Sequence, residues 1–301
     1  MEDYLDLTFR TVLKSHAGAD YTCLQRLGMG GSAETYLALA TSGTLRGQLF
    51  AVKAFRRLSK PEWRENFLDE IKFLHTCSHP AVMRVFDEGL YLGQHPFIVA
   101  EYLPGTLGNV LRTAPAMMAK LGYALQMLSA LEYLATESVK VVHRDIKPAN
   151  VFIKGGSCVL GDFGLMKRLN IDPAVDREMM KASLGPGMPR GYRTPDLIDY
   201  LKGGMAPTEK SDVYQLGLLF AEMFSGSNPQ KPMAADDFTE PIELKPFLIQ
   251  GGLGEPIKDL IDPMLNADPA QRPSAAAMFP HWQDLFLEAA KRAHALEGRV
   301  V

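Results

Sequence analysis

The spacing of hydrophobic and polar positions along this chain changes near residue 104. Before that point, alternating segments such as ETYLALA and LFAVKAF flank the turn-rich TSGTLRG, a pattern that predicts β-strands. One helical pattern interrupts them, PEWRENFLDEIKFLHTC, where Pro61 favours a first helical turn. Later helical patterns are MMAKLGYALQMLSALEYLA, SDVYQLGLLFAEMFSG, EPIKDLIDPML and PHWQDLFLEAAKRAHALE. A strand-rich front and a helix-rich back predict an α+β chain of two lobes with a ligand cleft between them.

Composition narrows the class of protein. With 301 residues, 47% hydrophobic and 22% charged, the chain can bury a large core. A net charge of −3 gives no electrostatic reason to expect a nucleic acid partner. The scattered Cys23, Cys77 and Cys158 fit neither a metal cluster nor a disulfide framework, and free thiols predict a cytoplasmic location. The acidic start is unlike a signal peptide, and the lack of a long apolar run predicts no membrane span.

A glycine-rich stretch, LGMGGSAETYLA, contains Gly28, Gly30 and Gly31. Glycines allow backbone N–H groups to approach phosphates closely, although an ordinary turn has the same composition. A dinucleotide-binding fingerprint would need a following helix and an acid about 20 residues later, where this chain has Lys53. Strand-like residues follow instead, so the glycines are predicted to cap a hairpin.

Glu70 is an unusual residue for its position in the predicted helix. Trp63, Phe67 and Leu74 form an apolar stripe, and Glu70 falls within it. An unpaired carboxylate there would be costly to desolvate, which predicts a cationic partner. Lys53 is the nearest candidate; the alternative is that Glu70 reaches solvent at the helix edge.

The segment VVHRDIKPANVFI places polar residues in a rigid loop, because Pro148 excludes a helix. In that loop Asp145 could accept a hydroxyl proton, and Lys147 could neutralise phosphate charge. Asn150 offers an oxygen to a metal, and Asp162 follows 12 residues later in DFG. Mg²⁺ prefers such oxygen ligands. Two unrelated polar loops would be the alternative for each motif alone.

Together these motifs resemble the signature set of the protein kinase family. The matching segments are the glycine loop, AVK at 51–53, Glu70, HRDIKPAN at 143–150 and DFG at 162–164, in the family's order. Further similar landmarks are TPD at 194–196, SDVYQLG at 211–217 and QRPSA at 271–275. The resemblance therefore covers about residues 21–287.

The resemblance implies a bilobal protein-kinase-like α+β fold, with a small β-rich N-lobe that carries one main helix and a larger helical C-lobe. The kinase domain would span 21–287, with its N-lobe over about 21–103 and its C-lobe over about 104–287. Residues 1–20 would form a leader, and 288–301 the end of the last helix and a tail.

The resemblance also implies ATP and Mg²⁺ as cofactors. Lys53 would hold the α- and β-phosphates and pair with Glu70, and Asp145 would deprotonate the attacking hydroxyl. The implied catalytic residues are Asp145, Lys147, Lys53 and Glu70, and the implied metal ligands are Asn150 and Asp162. The implied nucleotide-binding residues are Leu27, Gly28, Gly30, Gly31, Thr35, Ala51, Lys53, Glu101, Leu103 and Phe152. Ala100 would be the gatekeeper.

Three further residues resemble family positions outside the active site. Asp212 is similar to the residue that braces the catalytic loop. Arg272 is similar to the arginine that pairs with the acid of Ala-Pro-Glu, which would here be Asp196. Because Asp196 is one methylene shorter than glutamate, we expect the pair to persist with a slight displacement.

The segment between DFG and TPD departs from the family. Pro189 replaces the usual threonine that would contact the catalytic loop, which puts substrate docking in question. Arg144 precedes Asp145, an arrangement that typically pairs with a phosphorylated loop residue. Ser183 is the candidate, as an autophosphorylation site; the alternative is a loop acid, Asp176 or Glu178, that satisfies Arg144 constitutively.

The leading interpretation is an ATP-dependent protein serine/threonine kinase acting on protein hydroxyls, because Lys147 in D-x-K-P-x-N is similar to the serine/threonine-specific pattern. A pseudokinase scaffold that binds nucleotide without turnover is the first alternative, and the complete catalytic set argues against it. A small-molecule kinase is the second, and the later landmarks argue against that.

Overall fold

The computed structural model describes residues 5, 7–136, 138–166, 172–183, 191–231 and 240–297. The chain forms two compact units, Met1–Pro104 and Gly105–Val301. The first is built on a β-sheet with one long helix, and the second consists mainly of helices. This arrangement confirms the predicted α+β class and the change from strands to helices along the chain.

A six-stranded antiparallel sheet forms the framework of the first unit. Its strands are β1 (Val12–Lys14), β2 (Asp20–Met29), β3 (Ala33–Ala40), β4 (Leu49–Phe55), β5 (Val85–Tyr91) and β6 (His95–Glu101). Their order across the sheet is β1-β2-β3-β4-β6-β5. The neighbours β2 and β3 form the predicted glycine-capped hairpin. Strand β3 also pairs with β4, and these two strands contain the alternating segments ETYLALA and LFAVKAF.

Helix α1 (Pro61–Thr76) follows β4 and begins at the proline, as predicted. It buries the expected stripe, including Trp63, Phe67 and Glu70. On the sheet, the side chains of alternate residues form a continuous apolar core, because successive strand residues point to opposite faces. Tyr21, Phe50 and Phe97 belong to the large buried side chains of this unit.

The segment assigned to a leader contributes to the sheet. Strand β1 pairs with β2 through Leu13 opposite Tyr21, and Leu13 is fully buried. Leu5 and Leu7 also belong to the core cluster of this unit. Three leucines are thus removed from water by folding, which accounts for these three apolar positions of the segment.

The second unit contains a small sheet and a set of helices. Its strands are β7 (Gly105–Thr106), β8 (Val151–Lys154) and β9 (Ser157–Leu160), paired antiparallel in that order. Its helices are α2 (Leu107–Leu111), α3 (Met117–Ala135), α4 (Pro173–Ser183), α5 (Pro195–Leu201), α6 (Glu209–Ser225), α7 (Gly254–Ile261) and α8 (Ala275–Glu297). Short 3₁₀ turns occur at Pro148–Asn150, Asp262–Leu265 and Pro269–Gln271.

Aromatic packing closes the core of this unit. Trp282 of α8 is fully buried, and its ring centroid lies 4.8 Å from that of Phe220 and 5.7 Å from that of Phe224. Helix α6 is buried along almost its whole length, which explains its near-continuous apolar sequence.

Two helices differ from the sequence prediction. Helix α8 begins at Ala275 and continues through Pro280, whereas the pattern had placed its start at the proline. Ser274 accepts a hydrogen bond from the backbone N–H of Ala277, and this cap starts the helix earlier. Helix α4 was not predicted, although Asp172 and Pro173 give the usual signal for a helix start, with the carboxylate accepting from the N–H of Ala174.

Candidate active site

Lys53 and Glu70 form an ion pair within the first unit. The distance from Lys53 Nζ to Glu70 Oε1 is 2.7 Å. The Glu70 side chain is 2% exposed, so the lysine compensates a carboxylate that would otherwise be costly to bury. The Lys53 ammonium also lies 5.8 Å from the ring centroid of Phe67. The structure thus brings together Glu70 of the apolar stripe and Lys53, the cation that the sequence suggested as its partner.

The glycine turn lies at the end of the β2–β3 hairpin. It is closed by a hydrogen bond of 2.8 Å from Gly30 N–H to the carbonyl of Ala33. Strand register places Gly28 opposite Thr35, and Thr35 opposite Lys53. Three of the predicted nucleotide-binding residues therefore lie in one row across three strands.

The remaining predicted nucleotide contacts of the first unit lie on β2, on β4 and at or just after the end of β6. Ala51 is opposite Ala100 in the register, and Ala100 is buried. Leu27 is 39% exposed near the end of β2. Glu101 ends β6, and Leu103 follows it. Phe152, on β8, belongs to the second unit.

The predicted catalytic loop is a tightly hydrogen-bonded unit. Lys147 Nζ lies 2.9 Å from Asp145 Oδ2, and Asn150 Nδ2 donates to the same oxygen at 2.8 Å. Asn150 also donates to the Asp145 carbonyl at 2.8 Å, and the 3₁₀ turn that begins at Pro148 holds it in place. One carboxylate is thus fixed by an ammonium and an amide, which is a suitable arrangement for orienting a hydroxyl nucleophile.

The environment of Asp145 changes its acidity. Burial, together with the smaller effect of the negative charge of Asp162, raises the pKa of its carboxyl to about 6. The Lys147 ammonium opposes both effects by stabilising the ionised form. A carboxylate with a raised pKa accepts a proton more readily than an ordinary aspartate does.

Asp212 of helix α6 holds the backbone of the predicted catalytic loop in place. Its carboxylate accepts hydrogen bonds from the N–H groups of His143 at 2.8 Å and Arg144 at 2.7 Å, as the family resemblance implied. Burial raises the pKa of Asp212 to about 7, while these two backbone donors oppose that shift. The backbone of Arg144 has φ +67°, a conformation that a non-glycine residue keeps only when its surroundings impose it.

A second brace, Gln215, was missed by sequence reasoning. Its side-chain oxygen accepts from the N–H of Ile146 at 2.9 Å, and its nitrogen donates to the carbonyls of Arg144 at 3.0 Å and Tyr192 at 2.9 Å. The available signal was a polar residue three positions after Asp212 in an otherwise apolar helix, which places both side chains on the same face.

Asn150 and Asp162 present a donor set that suits Mg²⁺. Because the Asn150 nitrogen is engaged by Asp145, the side-chain oxygen is directed to the opposite side of the amide. Asp162 is exposed and has φ +56°, and its neighbour Gly161 donates to the Asn150 carbonyl at 2.9 Å. Amide and carboxylate oxygens are the ligands that Mg²⁺ takes in proteins.

Arg144 is paired with Asp176 of α4. The guanidinium donates to both carboxylate oxygens, at 2.7 Å and 2.8 Å, and each side chain is 3% exposed. Arg144 Nε also donates to the carbonyl of Leu165 at 2.6 Å, and Asp176 accepts from the hydroxyl of Tyr200 at 2.7 Å. This confirms the alternative in which a loop acid satisfies Arg144.

Three other residues of this segment were named in the sequence analysis, namely Glu178, Ser183 and Pro189. Glu178 is exposed on α4, so Asp176 is the acid that occupies the buried position. Ser183 is the last residue of α4, and its side chain lies outside the described part of the chain. Pro189 also lies outside the described residues.

The expected pair of Arg272 and Asp196 is present. Arg272 Nη1 lies 2.8 Å from Asp196 Oδ1, and the arginine side chain is fully buried. Its other donors reach carbonyls of Asn266 at 2.7 Å and Ala267 at 3.2 Å. Among the described residues, the second carboxylate oxygen of Asp196 is buried without a hydrogen-bond partner.

The fold, the glycine turn with the Lys53–Glu70 pair, and the loop around Asp145 together define a class of protein. The chain belongs to the protein kinase family: the family described as "protein kinase domain" matches residues 21–282. This match includes most of each unit and all the predicted site residues.

Two relatives indicate the particular kind of kinase to which the chain is similar. One is a probable serine/threonine-protein kinase of Streptomyces coelicolor, 31% identical over 221 residues, which are 70% of this chain and 31% of the relative. The other is a probable serine/threonine-protein kinase of Dictyostelium discoideum, 30% identical over 262 residues, 83% of this chain and 15% of the relative. The chain thus spans less than a third of either relative's length.

Among the residues that the structure describes, no helix is both long and apolar enough to cross a membrane.

Proposed function

We propose that the chain is an ATP-dependent protein serine/threonine kinase that transfers the γ-phosphoryl group of Mg-ATP to a hydroxyl of a protein substrate. The observation that carries this proposal is the Asp145 carboxylate, held by Lys147 and Asn150 on a loop that α6 braces. Family membership and the names of the two relatives support the same activity.

Each residue of the site has a role in this proposal. Asp145 accepts the proton of the attacking hydroxyl and orients it. Lys147 neutralises charge on the transferred group. Asn150 and Asp162 hold Mg²⁺, which supplies charge neutralisation at the phosphates when bound.

The first unit contributes nucleotide binding in this proposal. Lys53, oriented by Glu70, neutralises the α- and β-phosphates, and the N–H groups of the glycine turn face phosphate oxygens. Leu27, Thr35 and Ala51 would contact the adenine ring, and the backbone of 101–103 would hydrogen-bond its edge. Phe152 is the residue of the second unit that the family resemblance adds to this set.

The molecule and residue that receive the phosphoryl group distinguish a protein serine/threonine kinase from a tyrosine kinase or a small-molecule kinase. The purified chain is incubated with Mg-ATP and a mixture of unstructured proteins, and mass spectrometry then locates the added phosphate. We expect phosphoserine and phosphothreonine, in agreement with Lys147 in the loop. Phosphotyrosine alone, or phosphate transferred to metabolites but to no protein, would contradict the proposal.

A further inference from the structure

The glycine turn is held from one side by two arginines, Arg56 and Arg57, that follow β4. Arg57 Nε donates to the carbonyl of Gly31 at 2.5 Å, and Arg56 Nη2 donates to that of Gly30 at 3.3 Å. The backbone N–H of Arg56 donates to the carbonyl of Ser32 at 3.0 Å. All three carbonyls of the turn, at residues 30–32, therefore accept hydrogen bonds from the same short segment.

Fixing these carbonyls also fixes the N–H groups of the turn. In a planar trans peptide the carbonyl of one residue and the N–H of the next point in opposite directions, and the described chain has no cis peptide. The bonds to Gly30 and Gly31 consequently direct the N–H groups of Gly31 and Ser32 away from the arginines. Among the described residues, neither N–H donates to a protein atom. Two successive N–H groups left in this way form an anion-binding concavity.

Arg57 is itself held in place by helix α1. Its guanidinium carbon lies 5.4 Å from the ring centroid of Trp63, a residue that is 6% exposed. The Lys60 ammonium lies 6.0 Å from the same centroid. Arg57 is half-buried and its guanidinium lies over a buried ring, so it can hold the turn at a low cost in side-chain entropy.

We propose that Arg57, assisted by Arg56, is a positioning residue for the phosphates of ATP: it orients the peptide planes of the glycine turn so that their N–H groups face the nucleotide. This inference rests on the proposed function. Arg57 acts through the turn, so its removal should weaken recognition of the phosphates and leave recognition of the nucleoside unchanged.

The test compares ATP with adenosine, which has no phosphate. Arg57→Met removes the donors and keeps an unbranched side chain for packing on Trp63. Arg46→Met is the matched control, because Arg46 is an exposed loop arginine of the same unit. We expect Arg57→Met to raise the dissociation constant for Mg-ATP about tenfold, as for loss of one charged hydrogen bond, with adenosine binding unchanged.

Kinetics give a second readout. We expect Arg57→Met to raise KM for ATP by a similar factor with kcat nearly unchanged, and Arg57→Lys, which keeps the charge and a donor, to recover most of the affinity. The control Arg46→Met should match the wild-type chain in both assays.

Two results would overturn the inference while leaving the proposed function intact. One is a wild-type chain that binds and uses ATP together with an Arg57→Met variant of equal affinity. The other is an equal loss of ATP and adenosine affinity, which would mean that Arg57 only maintains the shape of the hairpin. A wild-type chain that neither binds ATP nor transfers phosphate would instead overturn the proposed function and this inference with it.

Discussion

Asp176 provides Arg144 with the two oxygens that a phosphate group would otherwise offer. The pair is bidentate and buried, and the hydroxyl of Tyr200 completes the hydrogen bonding of the carboxylate. Charged hydrogen bonds of this geometry are strong, and a partner removed from a buried pair leaves an uncompensated charge. The anchor between the catalytic loop and α4 therefore exists without any modification of the chain.

Replacing Asp176 by asparagine should weaken this anchor. The guanidinium of Arg144 would remain buried without a counter-charge, so we expect Asp176→Asn to lower the free energy of unfolding by about 3–5 kcal/mol and to reduce phosphate transfer. Urea denaturation and a kinase assay measure the two effects. Glu178→Gln is the matched control on the exposed side of the same helix and should change little. Equal stability of the two variants would contradict this role of Asp176.

Ser183 gives the complementary prediction. Because Arg144 already has a carboxylate partner, we expect Ser183→Ala to keep kinase activity within about twofold of the wild-type chain. The comparison requires initial rates on one protein substrate. A large loss of activity in Ser183→Ala, restored by Ser183→Asp, would show instead that phosphorylation of this residue is needed.

At the residue scale, an interaction could be predicted where the sequence itself showed that a residue needed a partner. The pair of Lys53 and Glu70 could be predicted because a carboxylate inside an apolar stripe demands a cation. The partner of Arg144 could only be narrowed to candidates, since Asp176 lies 32 positions away. Gln215 was missed because its three contacts are all tertiary.

At the scale of elements, helices with a clear apolar stripe were predictable and those set by tertiary contacts were not. The residues of α1, α3 and α6 follow the helical spacing, and the structure shows helices at those positions. Helix α4 has only 11 residues, and the charged Asp176 shares its buried positions with Met179 and Met180, so the need to bury that carboxylate is not evident without knowledge of Arg144. The start of α8 depends on the Ser274 cap, a single hydrogen bond that hydrophobic spacing does not record.

Two helical glycines should respond in opposite directions to alanine. A Cβ at Gly217 of α6 would lie 2.9 Å from Met264 Cβ and 3.0 Å from Leu265 Cδ2, so we expect Gly217→Ala to destabilise by about 1–3 kcal/mol. A Cβ at Gly122 of α3 would meet only Phe286, at 4.0 Å, so Gly122→Ala should stabilise by about 0.5–1 kcal/mol. Urea unfolding midpoints check both. Shifts of the same sign would contradict the close packing at Gly217.

At the scale of the whole molecule, the proposed activity requires residues from both units. The first supplies the glycine turn, Lys53 and Glu70, and the second supplies the catalytic loop and Asp162. The sequence could predict both sets because the order of motifs resembles a known family, whereas each motif alone was ambiguous. The resemblance also implied the brace from Asp212, whereas the bonds from Arg56 and Arg57 to the turn and from Gln215 to the loop were not predictable, because these partners come from other segments of the chain.

The most direct test of the account compares the wild-type chain with Asp145→Asn for phosphate transfer from radiolabelled Mg-ATP to a protein substrate. Asparagine keeps the shape of the side chain but is a much weaker proton acceptor. We predict that transfer falls by about 10²–10⁴-fold while Mg-ATP still binds, since general-base catalysis contributes on that order. Equal transfer by the two proteins, or none by either with ATP bound, would contradict the claim that this chain is a kinase using Asp145 as its base.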